Sequence, residues 1–547
     1  MAVDKKYNDE KEIDHLNILQ KFGKYQIVQY ALICLPTIFI SMNNVNYVFV
    51  AGDIEYRCRA PECESDNSNL SYAWLQGIKR CNQPNLNAHT LQANLNDIAL
   101  LSNFSECKEW IYASNNTIVA WLDLACKPWK TSFVGTVHSI GMVVGMTFGG
   151  WASDTFGRKP TVIFAFLATS IGCIKTTVPY YYGYIFIELI ESFTSGAAFT
   201  AGMILMIEIS GNDKRVLSGV VYAYAIYFGE GLLAFTAMLV QYWKTIIYII
   251  CAPSILFISY IMILKESPRW LVLHNEFEKA KDILILIRKY NKINVSAEDL
   301  RELNEEALRF ICNTEINTKK EGYIEVFKCI EMVKRLIVAS VARFSVTFIY
   351  YGLMVSSVWL PGNKYTNYIL TALMSFPGDI LALYFLSKFG RRMPLVYGYL
   401  ICGAVCVVTG YVPEAYFWLK ILLYLVGKLT VAACFTGIWT YTMELFPTSV
   451  RGSMFGLVTI IAGAGSMLAP LTPALNTISP VFSSLFYGAS AISSSILLLF
   501  TPETKGLPLP ATIEDVINAM KDKKIKKNNN GIENHGFDHE YSVTTRM

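Results

Sequence analysis

Long apolar runs separated by short polar stretches set the strongest limit on what this chain can fold into. Each run can cross the hydrocarbon core of a bilayer, which takes about 20 residues. The chain is 53% hydrophobic and only 16% charged over 547 residues, too apolar for an ordinary soluble protein. We predict an all-α membrane protein with twelve transmembrane helices in two six-helix halves. The predicted spans are roughly 27–50, 132–152, 160–179, 182–209, 216–240, 243–264, 335–359, 366–387, 394–412, 416–443, 452–475 and 480–500.

Basic residues in the short loops predict the orientation. Those on one membrane face are Arg158, Lys159, Lys214, Arg215, Lys388, Arg391, Arg392 and Arg451. The opposite short loops carry only scattered lysines, so the positive-inside rule makes the basic face and both termini cytoplasmic. The predicted divisions are a cytoplasmic N-terminus (1–26), a first bundle (27–264) with an extracellular loop (51–130), a cytoplasmic helical loop (265–334), a second bundle (335–502) and a cytoplasmic tail (503–547).

The polar loop 51–130 has the chemistry of an extracellular or lumenal segment. Its cysteines are Cys58, Cys63, Cys81, Cys107 and Cys126, and its glycosylation sequons are Asn69, Asn103 and Asn115. Disulfides and N-glycans both belong to that side of a membrane. Five is an odd number, so one thiol is free or pairs between chains, and the connectivity stays open.

One tight basic turn occurs twice, about half a chain apart. Gly157-Arg158-Lys159 follows the second span, and Gly390-Arg391-Arg392 follows the eighth. The repetition indicates a duplicated bundle, and such bundles place a solute site at the interface between their halves. The pattern therefore predicts a transporter.

Several motifs in this order resemble the major facilitator superfamily. The stretch from Gly149 to Lys159 is similar to its signature loop, and Glu266-Ser267-Pro268-Arg269-Trp270-Leu271 resembles the branch of sugar porters and of organic cation, anion and carnitine transporters. The cysteine-bearing loop and the stretch from Pro502 to Asp515 favour the organic ion transporters. The resemblance implies the major facilitator fold, and it extends over about residues 20–520.

Charged residues cluster where the spans meet the predicted cytoplasm. The candidate gate residues are Asp154, Arg158, Glu208, Glu266, Arg269, Glu444 and Arg451. We expect opposite charges there to hold the halves together when the cavity opens outward and to separate when it opens inward. The resemblance implies this role for the first turn and for the Glu-Ser-Pro-Arg motif. The alternative is that the charges only orient the protein.

Ionisable residues inside the spans are candidates for a solute site. A charge at the bilayer centre costs at least about 2.5–3.5 kcal/mol, so it should face a partner or a wet cavity. The spans hold the acids Glu188, Glu191, Glu230 and Asp379 and the bases Arg343 and Lys428. The excess of acids favours a cationic or zwitterionic amine. His138 is expected to be neutral and packed.

The candidate substrate-binding residues are Asp379, Tyr350, Tyr222, Glu230, Lys428 and Ser375. Anion carriers of the resembling family show a Lys at the position of Asp379, and cation carriers show a Glu at that of Ser375. Lys428 and Asp379 either bind the two ends of a zwitterion or neutralise each other. Glu230 either meets an amine or pairs with Arg343 or Lys428. Tyr222 and Tyr350 match substrate-contacting positions, and packing is the alternative for both.

Two positions depart from the resembling families. Glu188 stands where the superfamily often has an Arg, and Gly463 stands where organic ion carriers have an Asp or an Arg. The first departure predicts a negative local charge, and the second removes a marker of substrate class.

We expect a secondary-active or facilitative transporter of small organic ions in the plasma membrane, with cationic or zwitterionic amines favoured. The alternatives are an organic anion transporter, then a sugar porter, then a receptor-like membrane protein. No phosphate-binding Gly-rich loop and no His-Glu-x-x-His motif occur, so we expect no enzyme activity, cofactor or metal. A net charge of +4 gives no reason to expect nucleic acid. The coupling ion and the oligomeric state stay open.

Overall fold

The computed structural model describes residues 18–59, 81–84, 104–211, 214–312, 323–447, 449–475, 481–505, 513, 514 and 516. Most of them form helices. Cys63 and the sequons at Asn69 and Asn103 lie outside the described residues, whereas Asn115 is exposed in the loop before the second span.

Twelve helical segments follow one another along the chain. They are α1 (Lys24–Asn44), α2 (Pro128–Phe156), α3 (Arg158–Ala168), α4 (Tyr181–Ile209), α5 (Arg215–Leu239), α6 (Trp243–Cys251), α7 (Ile330–Ser356), α8 (Lys364–Phe389), α9 (Arg392–Tyr411), α10 (Phe417–Leu445), α11 (Arg451–Leu468) and α12 (Phe482–Leu498). Shorter turns extend several of them, for example Tyr47–Val50 after α1 and Ala252–Ser259 after α6.

Among the described residues, ten segments are long and apolar enough to cross a membrane. The other two are α12, with 17 residues, and α3, which tightens into a 3₁₀-helix over Thr169–Thr176. In that tight stretch the hydroxyls of Thr169, Ser170 and Thr176 donate to the carbonyls three residues earlier. Such bonds match the 3₁₀ spacing. The count of twelve membrane crossings therefore stays a prediction.

Small residues allow α2 and α4 to approach closely. Cβ atoms added at Gly141, Gly145 and Gly149 would lie 1.9, 2.0 and 2.4 Å from the nearest atoms of α4. These glycines repeat every four residues, so they share one face of α2. Close backbone approach through such a face is a common way for membrane helices to pack.

The two ends of the helix bundle differ in character. The end that carries the turns at Gly157 and Gly390 is named the basic end, and the end that carries the loop before α2 is named the loop end. At the loop end, two antiparallel strand pairs form, β1 (Tyr56–Cys58) with β4 (Trp110–Tyr112) and β2 (Asn82–Pro84) with β3 (Phe104–Glu106). The cysteine connectivity left open by the sequence is Cys58–Cys107 and Cys81–Cys126.

The stretch predicted as a helical loop forms short helices at the basic end. Their bounds are Pro268–Leu273, Phe277–Asn291, Ala297–Arg301, Glu305–Ile311 and Tyr323–Lys328. Asn291 joins this stretch to the start of α1, because its Oδ1 accepts from the Tyr25 N–H at 2.9 Å and its Nδ2 donates to Gln26 Oε1 at 2.9 Å.

Helices α1–α6 and helices α7–α12 form two halves that meet along α2 with α11 and α5 with α8. At the loop end, the Thr136 hydroxyl donates to the Met467 carbonyl at 3.0 Å, and the Phe49 ring stacks on Tyr365 at 5.6 Å and contacts Tyr368 at 5.1 Å. Among the residues that the structure describes, the hydrogen bonds and ring contacts between the halves lie at mid-depth or towards the loop end.

Candidate functional site

A polar cluster lies at mid-depth where the two halves meet. The Tyr350 hydroxyl of α7 donates to Glu230 Oε2 of α5 at 3.2 Å, so this hydrogen bond joins the halves. The same hydroxyl lies 3.2 Å from the Ser375 hydroxyl of α8. All three side chains are buried. Tyr350 therefore connects three helices through one oxygen atom.

Lys428 of α10 completes this cluster with an ammonium group. Its Nζ lies 3.0 Å from the centre of the Tyr350 ring, and the side chain is fully buried. Nζ has no hydrogen-bond partner. An ammonium over an aromatic face is attracted by the ring quadrupole, and this attraction strengthens when water is absent. Lys428 is thus held by a ring face rather than by a carboxylate.

Asp379 lies one helical turn after Ser375 on α8 and is also buried. Its carboxylate accepts from the Thr436 hydroxyl of α10, and the Tyr227 hydroxyl of α5 is within hydrogen-bonding reach. Among the contacts of the described residues, no ion pair joins Asp379 to Lys428. The structure therefore does not pair these two charges directly.

The backbone of α8 positions both of its polar residues. The helix is interrupted at Met374, because Pro377 has no N–H to donate to the carbonyl four residues earlier. A Cβ at Gly378 would lie 2.8 Å from Ala432 Cβ, so this glycine allows α8 to contact α10.

Aromatic rings surround the cluster. Phe376 of α8 contacts Tyr224 at 5.0 Å and Tyr227 at 5.5 Å, both on α5 of the other half. Phe435 of α10 lies 5.2 Å from Tyr350. Rings of this kind can hold the cationic group of an organic ion.

The remaining predicted substrate residue lies elsewhere. Tyr222 is eight residues before Glu230, about 12 Å along α5. Its hydroxyl donates to the Phe199 carbonyl of α4 at 2.8 Å, inside the first half. The structure thus brings together Glu230, Tyr350, Ser375 and Lys428, with Asp379 one turn away, and places Tyr222 apart.

Arg343 is not the partner of Glu230. Its guanidinium lies 4.0 Å from the Trp439 ring centre and 5.1 Å from that of Phe455, and its Nη2 donates to the Thr459 hydroxyl at 3.3 Å. These contacts all belong to the second half.

A second buried charged cluster lies inside the first half. Glu188 Oε1 is 2.7 Å from His138 Nδ1, and Glu188 Oε2 is 2.9 Å from Lys175 Nζ. Lys175 Nζ also lies 2.5 Å from Glu191 Oε2. A Cβ at Gly172 would lie 2.3 Å from the Glu191 carboxyl carbon, so the absence of a side chain there makes room for this acid.

Lys175 corrects two sequence-based interpretations. The count of charges inside the spans overlooks it, although it falls within the third predicted span. Glu188 and Glu191 both pair with it, so their carboxylates are occupied inside the first half. Lys175 offsets one of their two negative charges, and the excess of acids that favours a cation at the site between the halves rests on Glu230 and Asp379 alone.

The two basic turns have matching geometry. The Glu266 carboxylate accepts the N–H groups of Arg158 and Lys159 at 3.1 Å, and the Glu503 carboxylate accepts those of Arg391 and Arg392 at 2.7 and 3.0 Å. Each turn thus has a carboxylate from the stretch that follows the last helix of its half.

A glycine is required at the start of each turn. Gly157 has φ +110° and Gly390 has φ +104°, which residues with a Cβ rarely adopt. An added Cβ would lie 2.7 Å from Glu266 Oε2 in the first turn and 2.8 Å from Glu503 Oε2 in the second.

The arginine of each turn binds a second glutamate. Arg158 Nη2 lies 3.0 Å from Glu208 Oε1 and its Nη1 contacts Asp154, whereas Arg391 Nε lies 3.1 Å from Glu444 Oε1. Each ion pair joins residues of the same half. The predicted pairing across the halves belongs to a conformation closed at the basic end and stays a prediction.

Two further gate candidates lie beside these turns. Arg269 is buried in the helix Pro268–Leu273, and Arg451 Nε donates to the Phe446 carbonyl at 3.3 Å. Neither Glu503 nor Arg391 is among the predicted gate residues. The sequence contains a signal for Glu503, because this residue follows the last predicted span just as Glu266 follows the sixth.

The two carboxylates of the turns differ electrostatically. Burial raises the pKa of Glu266 above the usual value, although three backbone N–H groups and Arg158 oppose the change. Burial also acts on Glu503, but hydrogen bonds from four backbone N–H groups outweigh it and lower the pKa of that carboxyl. Glu503 is therefore the more firmly ionised of the two.

The family model described as sugar (and other) transporter matches residues 88–514. The chain belongs to this family. It is therefore a membrane transporter and not an enzyme, as the duplicated turns and the absence of catalytic motifs predicted. The matched residues include both basic turns and extend into both halves.

Similar transporters come from several animals. The organic cation transporter protein of Drosophila melanogaster is 27% identical over 524 residues, covering 93% of this chain and 95% of the relative. Organic cation transporter 1 of Caenorhabditis elegans is 29% identical over 522 residues, covering 91% and 87%. Solute carrier family 22 member 3 of Mus musculus is 26% identical over 524 residues, covering 91% and 94%.

Solved structures confirm the fold. The inward-open xylose transporter XylE from E. coli has a TM-score of 0.58 and 16% identity, covering 88% of this chain and 98% of that protein. Its partially occluded inward-open form has a TM-score of 0.59 with the same identity, covering 89% and 100%. The predicted major facilitator fold and the resemblance to organic cation transporters are both confirmed.

Proposed function

We propose that this transporter carries small organic cations across the plasma membrane by alternating access, with both termini in the cytoplasm. The relatives named organic cation transporters support the substrate class. The positive-inside rule applied to the basic turns supports the orientation.

The cluster between the halves is the observation that carries this proposal. Glu230 and Asp379 bring two carboxylates to it and Lys428 brings one ammonium, so the site has one more acid than base. Tyr350 offers an aromatic face beside Glu230. A cation gains from both the carboxylate and the ring, whereas an anion meets the opposite charge balance.

Lys428 occupies the place that the substrate cation needs. Its ammonium lies on the Tyr350 ring. An incoming cation displaces it from the ring and pairs with Glu230. Lys428 is thus an internal competitor of the substrate cation.

A zwitterion is the second candidate, and the state of Lys428 favours it. Because Nζ has no hydrogen-bond partner, it is free to bind a substrate carboxylate. Glu230 or Asp379 then takes the cationic end.

The contacts between the halves support an inward-facing conformation. The loop end, predicted to be extracellular, is closed by Thr136 with Met467 and by Phe49 with Tyr365 and Tyr368. Opening to the outside separates these contacts while the basic end closes. The ion pairs of each basic turn stay within one half, so each half can move as a unit. Membrane potential supplies about 2.3 kcal/mol per charge per 100 mV, enough to drive a cation inward.

Uptake into proteoliposomes tests the proposal. Purified protein should accumulate tetraethylammonium saturably when the interior is negative, and Glu230→Gln and Asp379→Asn should each reduce this uptake. Glu305→Gln, which changes a carboxylate of the short helices at the basic end, is the matched control and should transport normally.

Carnitine, benzoate and glucose assayed in parallel separate the alternatives. Carnitine uptake in preference to tetraethylammonium would favour the zwitterion. Saturable uptake of only benzoate, or of only glucose, would overturn the proposal.

A further inference from the structure

We propose that His138, Lys175, Glu188 and Glu191 form a proton-binding site inside the first half, and that one proton binds at His138 Nε2. Proton binding there makes transport depend on the pH on each side of the membrane. The site is separate from the cluster at Tyr350, and only the transport measurement below rests on the proposed function.

The charge balance of the cluster is the first argument. All four side chains are fully buried. Lys175 contributes one positive charge, and Glu188 and Glu191 contribute two negative charges, so the cluster with a neutral histidine keeps a net charge of −1. A buried net charge is costly. One added proton makes the cluster neutral.

Hydrogen bonding decides where that proton binds. An ionised carboxylate only accepts hydrogen bonds, so His138 Nδ1 carries the hydrogen that it shares with Glu188 Oε1. Neutral His138 therefore has a bare lone pair at Nε2, and Nε2 has no partner. Both oxygens of each glutamate are occupied, since Glu191 also accepts from the Cys251 thiol at 3.0 Å.

Other titratable groups that face the cluster do not take over this role. They are Tyr47 beside the His138 ring, Tyr184 beside Lys175, Tyr248 bonded to Thr176 next to Lys175, and the thiols of Cys173 and Cys251. Phenols and thiols ordinarily titrate above about pH 8. Histidine is the side chain that ordinarily titrates between pH 5 and 8.

The location of His138 connects the proton to the movement of the halves. His138 lies two residues after Thr136, whose hydroxyl bonds to Met467 of the other half. Its ring centre lies 6.1 Å from that of Tyr47. Two residues after Tyr47, the Phe49 ring contacts Tyr365 of the other half. Opening the loop end separates these contacts and gives water access to Nε2. Closing them retains the proton.

A small, mainly apolar cavity with a few polar lining residues lies beside Cys251. Its volume is about 10 Å³, and Cys251, Asn43, Ser195, Thr169 and Ser254 are among its lining residues. This is near the smallest volume that holds one water. Cys251 connects this space to Glu191.

Nuclear magnetic resonance of the histidines tests the site without any substrate. The full chain, labelled with ¹⁵N-histidine in lipid, contains six histidines, and the His138→Gln spectrum identifies the signal of His138. Nε2 should change from unprotonated to protonated as the pH is lowered. An Nε2 that stays in one state over the pH range in which the protein remains folded would overturn the proposal.

Transport under a pH gradient tests the coupling. With the membrane potential clamped at zero, a gradient of one pH unit should change the accumulation of tetraethylammonium up to about tenfold, the equivalent of one proton. Accumulation with an acidic exterior indicates cotransport, and accumulation with an acidic interior indicates exchange. Either result supports the proposal, and equal uptake with and without the gradient contradicts it.

Variants separate this inference from the proposed function. Glu191→Gln makes the cluster neutral without a proton, so the response to the pH gradient should be lost while potential-driven uptake persists. His274→Gln, at an exposed histidine in the short helices, should keep both. If the wild type showed no uptake at all, the proposed function would be refuted, and the histidine spectrum would still test the proton site.

Discussion

Replacing Lys428 with methionine tests whether this residue competes with the substrate. The side-chain volume is largely kept, and the ammonium over Tyr350 is removed. A buried interaction between a cation and an aromatic ring is worth about 2 kcal/mol, and Lys428 Nζ is 3.0 Å from the ring centre. A substrate cation that need not displace it should bind more tightly by this amount, about 30-fold in Kd.

Binding of tetraethylammonium to the purified protein in lipid nanodiscs measures this change. Lys420→Met on the same helix is the matched control, because Lys420 lines a different cavity, of about 250 Å³, in the second half. It should bind like the wild type. Carnitine should bind more weakly to Lys428→Met if the ammonium holds a carboxylate. An unchanged or weaker affinity for tetraethylammonium, in a variant with the wild-type melting temperature, would refute the competition.

Two further predictions concern stability. Gly145→Ala places a Cβ 2.0 Å from the Phe193 carbonyl oxygen, so overpacking should destabilise the protein by about 1–3 kcal/mol. Gly150→Ala has its nearest neighbouring atom at 4.0 Å and should melt like the wild type; equal melting temperatures for both variants would contradict the packing described for α2 and α4. Folding lowers the pKa of Glu503, so this carboxylate stabilises the folded protein at pH values above its pKa in the unfolded chain, about 4.3. The stabilisation is lost as the pH falls through the lower pKa that Glu503 has in the folded protein. Thermal unfolding from pH 7 to pH 3 should show a smaller loss of stability in Glu503→Gln than in the wild type, and parallel curves would contradict this.

Apolar length and local motifs made most of the fold predictable. The runs of apolar residues predict the helices because a bilayer demands about 20 such residues whatever their neighbours. The duplicated turn predicted two related halves, and Glu503 could have been found by extending that repeat, since it follows the last span as Glu266 follows the sixth. The tightening of α3 into a 3₁₀-helix depends on side-chain bonds that a hydropathy pattern does not contain.

The candidate site was predictable only in part, because its contacts join residues far apart in the chain. Glu230 and Tyr350 are 120 residues apart, and each was chosen for its own chemistry. Tyr222 and Tyr227 lie on the same helix, and only the tertiary packing shows that Tyr227 rather than Tyr222 contacts the other half. Lys175 was overlooked near the end of its apolar run, where a lysine is easily assigned to a loop.

Chemical modification of Thr436→Cys tests most directly whether the cluster lies in a pathway open to one side at a time. Thr436 is partly exposed and its hydroxyl contacts Asp379. A membrane-impermeant thiol reagent applied to the cytoplasmic face should modify this cysteine, the wild type should show no matching modification, and tetraethylammonium should slow the reaction. No modification from either face, or a rate that tetraethylammonium does not change, would contradict a substrate site between the halves.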